Sequence, residues 1–328
     1  MQYYFAPLEG ITGYVYRSVH HKYFPGTDRY YMPFVAPNYT KHFKTREKQD
    51  VAPENNEGLA AVPQVLSNKA DEALWAVEEL AGLGYEEVNL NLGCPMPTVA
   101  RKKKGSGLLK YTDELDAYLD GVFSGMEARP SDRPPVRISV KTRLGTDSTE
   151  EAEELVRIYN RYPISELIVH PRCQKDLYRG TPDLEAFLLV WQKSTNPVVY
   201  NGDITVPADV ERIAEMCAAG HGLPAARKLE SVMIGRGFLA DPSLVRQCRG
   251  GNKINAEELN AFHDELYSRF QETLPGTKVV LSHMKELWFY MGNLFVDGDK
   301  YMKDIRRANN RFQYEAAVRV LLSMGRMK

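Results

Sequence analysis

What this sequence lacks already narrows its function. Its four cysteines, Cys94, Cys173, Cys217 and Cys248, lie far apart, with no CxxC motif and no paired cysteine–histidine spacing. This spacing argues against a zinc site and a disulfide-stabilised scaffold, and it favours the reducing cytoplasm. No apolar run approaches the roughly 18–20 residues of a membrane span. No basic segment precedes a long apolar stretch at the N-terminus, so we expect no signal peptide, no membrane contact and no bound metal.

The chain also lacks a large net charge. Its 42 Lys and Arg residues nearly balance 43 Asp and Glu residues, so the net charge of -1 identifies no partner. The distribution is more informative, because residues 101–104 are all basic and the last fifty residues contain an excess of Lys and Arg. A chain of 328 residues is long enough for one large α/β domain with a small appendage.

Eight short apolar runs alternate with helix-like stretches through most of the chain. The runs are Tyr3–Ala6, Tyr30–Val35, Ala60–Leu66, Glu87–Leu92, Val136–Lys141, Glu166–His170, Val198–Asn201 and Ser231–Gly235. The amphipathic stretches between them include Lys69–Leu83, Asp113–Met126, Thr149–Tyr162 and Ala208–Ala219. Such alternation is typical of a parallel sheet covered by helices. Within the α/β class, eight units favour a closed (β/α)8 TIM barrel over an open doubly wound sheet.

The alternation stops after Cys248. Residues 249–253 have the composition of a linker, and apolar residues then recur at helical spacing from Leu259 to Phe270, with similar patterns over Val279–Phe295 and Tyr314–Met324. We therefore predict a barrel domain over residues 1–246 and a small helical domain over residues 254–328. No pattern in the chain implies a protein partner.

Polar side chains gather where the apolar runs end. In a barrel these ends share one rim, where active sites are built. Cys94 lies just past the end of the fourth run, in the Asn91-Leu92-Gly93-Cys94-Pro95 segment, and the flexible-looking Gly105-Ser106-Gly107 follows the basic residues 101–104. A thiol beside a cationic, glycine-containing loop suggests proton chemistry on an anionic substrate. The alternative is that Cys94 is a small buried apolar side chain at a strand end.

Two glycine-containing turns suggest a phosphate site. Asn201-Gly202-Asp203 follows the seventh run, and Gly235-Arg236-Gly237 closes the eighth. Glycine lets backbone N–H groups approach a phosphate, and Arg236 adds a forked cationic donor. In barrels of this class the loops after strands seven and eight commonly bind phosphate. Each turn taken alone is also explained as a plain turn.

Four further residues are candidates for contacts to a flat ring. Lys141 ends the fifth run and can stabilise negative charge on a ring such as a reduced flavin, whereas a salt-bridged surface lysine is the alternative. His170 ends the sixth run next to Arg172, although a strand-end histidine often serves only as a hydrogen-bonding residue. Gln64 can bind an amide-like ring edge or support a loop, and the turn at Pro7 can lie against a ring or be a simple turn.

Taken together, these motifs resemble those of the flavin-dependent tRNA-dihydrouridine synthases. The matching segments are residues 6–12, 91–95, 105–109, 140–145, 170–172, 201–204 and 233–237, and their order and spacing span residues 5–240. The Asn-Leu-Gly-Cys-Pro segment is the most specific of them, because glycine turns occur in many flavin barrels. Leu8 and Pro171 depart from the family pattern, which usually has Met and a small residue there.

The resemblance implies a cofactor, a substrate and a role for each site residue. FMN would lie in the barrel mouth near Pro7, Gln64, Lys141 and His170, with its ribityl-phosphate near Asn201, Gly202, Asp203, Gly235 and Arg236. Cys94 would protonate C5 of a uracil while FMN gives hydride to C6, and NADPH would reduce FMN again. The base of an RNA, in the first place tRNA, would lie near Asn91. From their positive charge, Lys102, Lys103 and Lys104, with Arg172 and the basic residues of the helical domain, are expected to bind the same RNA.

Two other functions remain open from the residues alone. A small-molecule flavin reductase of the dihydroorotate or dihydropyrimidine dehydrogenase type would share the barrel without needing a basic surface. A catalytically silent RNA-binding module is the second, although the set of Cys94, Lys141 and His170 argues against it. The basic residues of the loop and of the helical domain are equally explained as solvated surface.

Overall fold

The computed structural model describes residues 1–219 and 228–328. Eight parallel strands close into a barrel in which each strand pairs with the next in the chain and β8 pairs with β1. The strands are β1 (Gln2–Phe5), β2 (Arg29–Val35), β3 (Ala61–Val65), β4 (Glu87–Leu92), β5 (Arg137–Gly145), β6 (Leu167–Cys173), β7 (Val198–Tyr200) and β8 (Ser231–Ile234). The prediction of a TIM barrel is thereby confirmed.

Helices cover the outside of the barrel. Those within the barrel sequence are α1 (Tyr14–Tyr23), α2 (Thr45–Val51), α3 (Ala70–Gly82), α4 (Pro97–Ala100), α5 (Thr112–Glu127), α6 (Ala152–Tyr159), α7 (Leu184–Lys193), α8 (Pro207–Ala218), α9 (Arg236–Ala240) and α10 (Leu244–Cys248). Short 3-10 turns lie at Pro53–Asn56, Gly105–Leu108, Thr149–Glu151 and Gln174–Asp176. Across residues 1–219 and 228–328, no helix combines the length and apolarity that a membrane crossing requires.

The alternation of side chains in β4 explains where the polar interior lies. Val88, Leu90 and Leu92 point outward and pack with the apolar side chains beneath the helices. Asn89 and Asn91 point the other way, into the barrel, because successive strand side chains face opposite sides. A separate cluster of buried side chains that includes Tyr4, Tyr31, Val199 and Met233 also lies inside the barrel. The Tyr4 hydroxyl donates to Glu166 and the Tyr31 hydroxyl to Glu87, so polar groups lie inside the barrel there as well as beside β3, β4 and β5.

Two strands extend farther than their apolar runs predict. β5 continues to Gly145 and β6 continues to Cys173. The extensions contain Arg143 and Arg172, which are both buried. Buried arginines are tolerated here because backbone carbonyl groups accept their hydrogen bonds.

Four helices follow the barrel. They are α11 (Ala256–Thr273), α12 (Thr277–Met291), α13 (Gly298–Arg307) and α14 (Arg311–Met324). Phe262 of α11 packs its ring edge against Tyr16 and Phe24 beside α1, at centroid distances of 5.9 and 5.2 Å. Contacts between α12 and α9 bring the C-terminal part of α12 to the mouth of the barrel. The bundle is thus packed against the rim where the strands end.

Candidate active site

A cavity of about 840 Å³ opens at the carboxyl ends of the barrel strands. Its size is within the range of ligand and cofactor pockets. Its wall includes most of the site residues expected from the sequence: Pro7, Gln64, Asn91, Cys94, Lys141, His170, Asn201, Gly202, Asp203, Gly235 and Arg236. The wall does not include Lys102, Lys103, Lys104 or Arg172.

A row of side-chain hydrogen bonds crosses the polar part of the barrel. The Asn91 amide Nδ2 donates to Gln64 Oε1 at 2.7 Å, and Gln64 Nε2 donates to Asn89 Oδ1 at 2.8 Å. Asn89 Nδ2 in turn donates to Ser139 Oγ at 2.9 Å. Asn89 and Ser139 were not expected in the site, although the alternation of β4 places Asn89 on the same face as Asn91. The row fixes the Gln64 and Asn91 amides before any ligand binds.

Asn91 also fixes the backbone at Cys94. Its Oδ1 accepts hydrogen bonds from the N–H groups of Gly93 at 3.1 Å and Cys94 at 2.9 Å. Since Oδ1 must face these two donors, Nδ2 must face Gln64, and the direction of the whole row follows. The same side chain therefore orders both the amide row and the segment that carries the thiol.

The Cys94 segment is held in place and not hinged. The Cys94 carbonyl oxygen accepts from the Ser106 N–H at 3.0 Å and from Ser106 Oγ at 2.9 Å. Gly105 has φ +56°, and a Cβ there would lie 2.7 Å from the Cys94 carbonyl oxygen. Gly105 therefore serves to allow a left-handed backbone and a close approach to Cys94. This differs from the flexible loop that the Gly105-Ser106-Gly107 sequence suggested. Pro97 starts α4 directly after this segment.

The environment of Cys94 keeps its thiol protonated. Burial raises the pKa of Cys94 above its ordinary value, while the charges of Lys141 and Arg143 act in the opposite direction without overcoming burial. The side chain is half-buried, so it remains accessible from the cavity. At neutral pH the group is a thiol, which can donate a proton but is a poor nucleophile.

Lys141 and His170 provide two bases of different strength. Burial lowers the pKa of Lys141 to about 7, with the charge of Arg143 adding to the effect. Burial and the cations Arg143, Lys141 and Arg172 hold the pKa of His170 well below its ordinary value, so its imidazole is neutral. Arg172 Nη1 donates to His170 Nε2 at 3.2 Å. Because arginine cannot accept, the imidazole proton is on Nδ1.

Arg172 lies behind the cavity wall. Its guanidinium donates to Asp203 Oδ1 at 3.1 Å and to Oδ2 at 2.5 Å, and only 1% of its side chain is exposed. Arg236 Nη2 donates to the same Asp203 Oδ1 at 2.5 Å. Burial opposes ionisation of Asp203, but the bonds from Arg172 and the charge of Arg236 hold its pKa below its ordinary value. The described contacts of Arg172 are therefore to His170 and Asp203, and its expected contact with substrate stays a prediction.

The turns after β7 and β8 are packed together by their glycines. A Cβ on Gly237 would lie 2.1 Å from the Ile204 carbonyl oxygen, and one on Gly202 would lie 2.9 Å from Tyr200 Oη. Asn201 Nδ2 donates to the Met233 carbonyl at 2.8 Å and joins the two strands. This packing places Gly202, Asp203 and Arg236 on one stretch of the cavity wall.

Several wall residues were given no role from the sequence. Arg143 donates to the Gly93 and Cys173 carbonyls at 3.0 and 2.9 Å. The guanidinium groups of Arg143 and Arg236 each lie 5.3 Å from the centre of the Tyr178 ring. Phe289, Tyr290 and Asn293 reach the wall from α12 and the turn after it. Among these residues, only Arg143 could be recognised in the sequence, because it follows the fifth apolar run. The others come from segments that contain no motif.

The basic loop lies outside the cavity and is partly neutralised. Lys103 Nζ is 2.5 Å from Glu114 Oε1, and Lys104 Nζ is 3.7 Å from Glu72 Oε2. Lys102 is exposed, and no described acidic side chain forms an ion pair with it. Of the three lysines expected to contact RNA, Lys102 therefore presents the least compensated charge.

Comparison with known proteins agrees with this architecture. The family model for dihydrouridine synthase (Dus) matches residues 4–325. The tRNA-dihydrouridine(16) synthase of Pseudomonas syringae pv. tomato is 29% identical over 265 residues, which cover 77% of this chain and 76% of the relative. The tRNA-dihydrouridine synthase B of Pasteurella multocida is 26% identical over 241 residues, covering 74% of this chain and 67% of the relative. The corresponding protein of Escherichia coli K12 is 26% identical over 242 residues, covering 74% and 69%.

The family match extends through both the barrel and the C-terminal helices. It confirms the resemblance seen in the sequence motifs. The chain belongs to the dihydrouridine synthase family, oxidoreductases that reduce uridine to dihydrouridine in tRNA.

Proposed function

We propose that this protein reduces the 5,6 double bond of a uridine in tRNA, with Cys94 as the acid that protonates C5. The observation that carries the proposal is the placement of Cys94. It lines the cavity, and its backbone is anchored by Asn91 and Ser106, while burial raises the pKa of its thiol. A fixed proton donor beside a cavity is what this reduction needs from the protein, because the acid must meet one carbon of the bound base.

The cofactor that we propose is FMN, with NADPH as its reductant. A bound flavin would supply the hydride for C6 of the uracil, which no side chain can do. Gln64, Lys141 and His170 are suited to the ring, because they combine an amide, a cation with a pKa of about 7 and a neutral imidazole on one wall. Pro7 lines the same wall.

The phosphate end has a donor set that fits an anion. Arg236 is half-exposed and is oriented by Asp203, while Gly202 and Gly235 line the wall without side chains that would block backbone N–H groups. The Asp203 carboxylate itself repels a phosphate. We therefore assign it to holding Arg236, and Arg172 to holding Asp203 and the tautomer of His170.

We further propose that residues 1–246 form the catalytic domain and that residues 254–328 help to bind RNA. The helical domain adds Phe289, Tyr290 and Asn293 to the cavity wall, so a substrate in the cavity would meet both domains. Lys102 adds an exposed positive charge near the Cys94 segment. Family membership favours an RNA substrate over the small-molecule reductase considered above, and tRNA as substrate favours a cytoplasmic location.

Mapping of dihydrouridine in tRNA from a deletion strain tests the proposal. We expect at least one position to lose dihydrouridine and to regain it when the wild-type gene is restored. Restoring Cys94→Ala should not regain it, whereas Cys248→Ala, a change of another half-buried thiol outside the cavity wall, should. A deletion strain with unchanged dihydrouridine at every position, in an organism with no second such enzyme, would refute the proposal.

A further inference from the structure

An exposed aromatic ring stands at the mouth of the cavity. Phe289 lies near the end of α12, its side chain is 64% exposed, and it lines the cavity wall. The helix buries Met284, Trp288 and Met291 in the bundle. Phe289 is not among the buried residues of this helix, so its ring lies outside that core. Its exposure is therefore not explained by packing within the bundle.

Other exposed aromatic side chains differ from Phe289. Tyr39 and Phe312 are more exposed, at 84% and 82%, but neither lines the cavity. Tyr178 does line it, yet its ring is engaged by Arg143 and Arg236. Phe289 makes an edge-to-face contact with Tyr290 at 5.1 Å, which leaves most of the ring in solvent. Within the described chain, it is the exposed ring on this wall that no cation engages.

Phe289 also separates two cavities. A second cavity of about 620 Å³ lies in the helical bundle, and Phe289 and Asn293 line both. The wall of the second cavity carries Lys300 and Arg306 together with Asp297 and Asp299. Because this wall carries charges of both signs, it is not simply a positively charged site for phosphate. If one unit of a polymer filled the barrel cavity and the next unit lay at the second cavity, the polymer would have to pass over Phe289.

We propose that Phe289 stacks on the base next to the target uridine while that uridine is in the barrel cavity. The inference rests on the proposed function. A uridine can reach a barrel cavity only by leaving its stack, which exposes a face of its neighbour. A flat aromatic ring covers such a face whatever the base, and each stacking contact of this kind contributes substantially to binding. The second cavity receives the nucleotide that carries the stacked base.

Substitutions of Phe289 separate stacking from simple apolar contact. With tRNA lacking dihydrouridine as substrate, Phe289→Ala should lower kcat/KM and weaken tRNA binding by oxidised enzyme, each roughly 5- to 100-fold. Phe289→Tyr should stay within about twofold of wild type, because the ring remains. Phe289→Leu should behave like Phe289→Ala, since it keeps apolar volume but no flat face. Phe312→Ala removes a ring that is even more exposed but lies away from the cavity; it is the matched control and should change neither quantity.

Flavin reduction by NADPH, followed without RNA, should be the same in all four variants, which shows that the cavity is intact. Unchanged kcat/KM and tRNA affinity in Phe289→Ala would overturn the inference while leaving the proposed function standing, and so would full rescue by Phe289→Leu. Wild-type protein that forms no dihydrouridine in tRNA would refute the proposed function and this inference with it.

Discussion

Asn91 links the amide row of the barrel to the segment that carries Cys94, and replacing it tests this link. Asn91→Leu keeps a similar volume but removes three hydrogen bonds, two accepted from the Gly93 and Cys94 N–H groups and one donated to Gln64. The N–H groups are beside an open cavity, where water can partly replace the lost acceptor. The Gln64 oxygen is buried and loses its partner.

The cost can be worked from these partners. A hydrogen bond that water replaces is worth about 0.5–1 kcal/mol, and a buried oxygen left unpaired costs about 2 kcal/mol. Asn91→Leu should therefore lower the free energy of unfolding by about 3–4 kcal/mol. Because the Cys94 backbone loses one of its anchors, dihydrouridine formation should slow roughly 10- to 100-fold even where the variant is fully folded.

Asn91→Asp is the informative control. One oxygen of its carboxylate still accepts from both N–H groups. The other oxygen replaces the donor Nδ2, so the Gln64 amide must turn over and donate to it from Nε2. The row can reverse as a whole because the Ser139 hydroxyl can donate as well as accept. Urea unfolding should therefore show a loss closer to about 1 kcal/mol for this variant. An Asn91→Leu variant within about 0.5 kcal/mol of wild type, with wild-type uridine reduction, would show that the row has no anchoring role.

Three further outcomes follow from the charged groups of the site. Arg236→Glu should lose FMN on gel filtration, where wild type stays yellow, because it sets a carboxylate against the phosphate; equal flavin content would contradict this. The folded pKa of Lys141, about 7, is below its ordinary 10.5, so the unfolded state holds more protons between these values. In flavin-free protein, Lys141→Met should therefore raise the free energy of unfolding more at pH 7 than at pH 9, by about 1–3 kcal/mol. An equal increase at both pH values would show that the pKa of Lys141 is not lowered in the folded protein. Lys102→Ala should flatten the dependence of log affinity for tRNA on log salt by about one unit, and Lys103→Ala by less because Glu114 pairs with it; an unchanged slope for Lys102→Ala would mean no phosphate contact.

The barrel was predictable because each strand corresponds to a short apolar run that can be recognised from neighbouring residues alone. Each apolar run is only a few residues long, and glycine, proline or polar residues mark its end. The polar interior could also be anticipated in part, since Asn91 and Lys141 follow the alternation of β4 and β5. Residues at strand ends must meet at one rim once the barrel closes, so the positions of Cys94 and Arg236 on the cavity wall follow from topology.

The features that the sequence did not reveal depend on contacts that no local sequence pattern encodes. β5 and β6 continue past their apolar runs because their backbones stay paired, Arg143 with His170 and Gly145 with Cys173. The buried guanidinium groups that this brings inside donate to the carbonyl groups of Gly93, Cys173 and Gly180. No local pattern reveals this pairing or those acceptors, so both strands were predicted too short. The ion pair between Arg172 and Asp203 was hidden for the same reason, since the two residues are distant in sequence.

The contribution of the helical bundle to the cavity was equally invisible. Phe289 belongs to an amphipathic pattern that predicts a helix but not what its exposed side faces. Its position depends on how α12 packs against α9, which is a tertiary contact between elements about fifty residues apart. Packing between domains, unlike strand periodicity, leaves no repeating signal in the chain.

Single-turnover reduction of tRNA by Cys94→Ala tests the central claim most directly. The variant should fold, bind FMN and accept electrons from NADPH at the wild-type rate, because that half-reaction does not use the thiol. Reoxidation of the reduced enzyme by tRNA should slow by roughly 10²–10⁴, the usual contribution of a positioned acid. Cys94→Ser should resemble Cys94→Ala, whereas Cys248→Ala should resemble wild type. Reoxidation of Cys94→Ala at the wild-type rate would show that the thiol is structural and that the proton reaches C5 from another group.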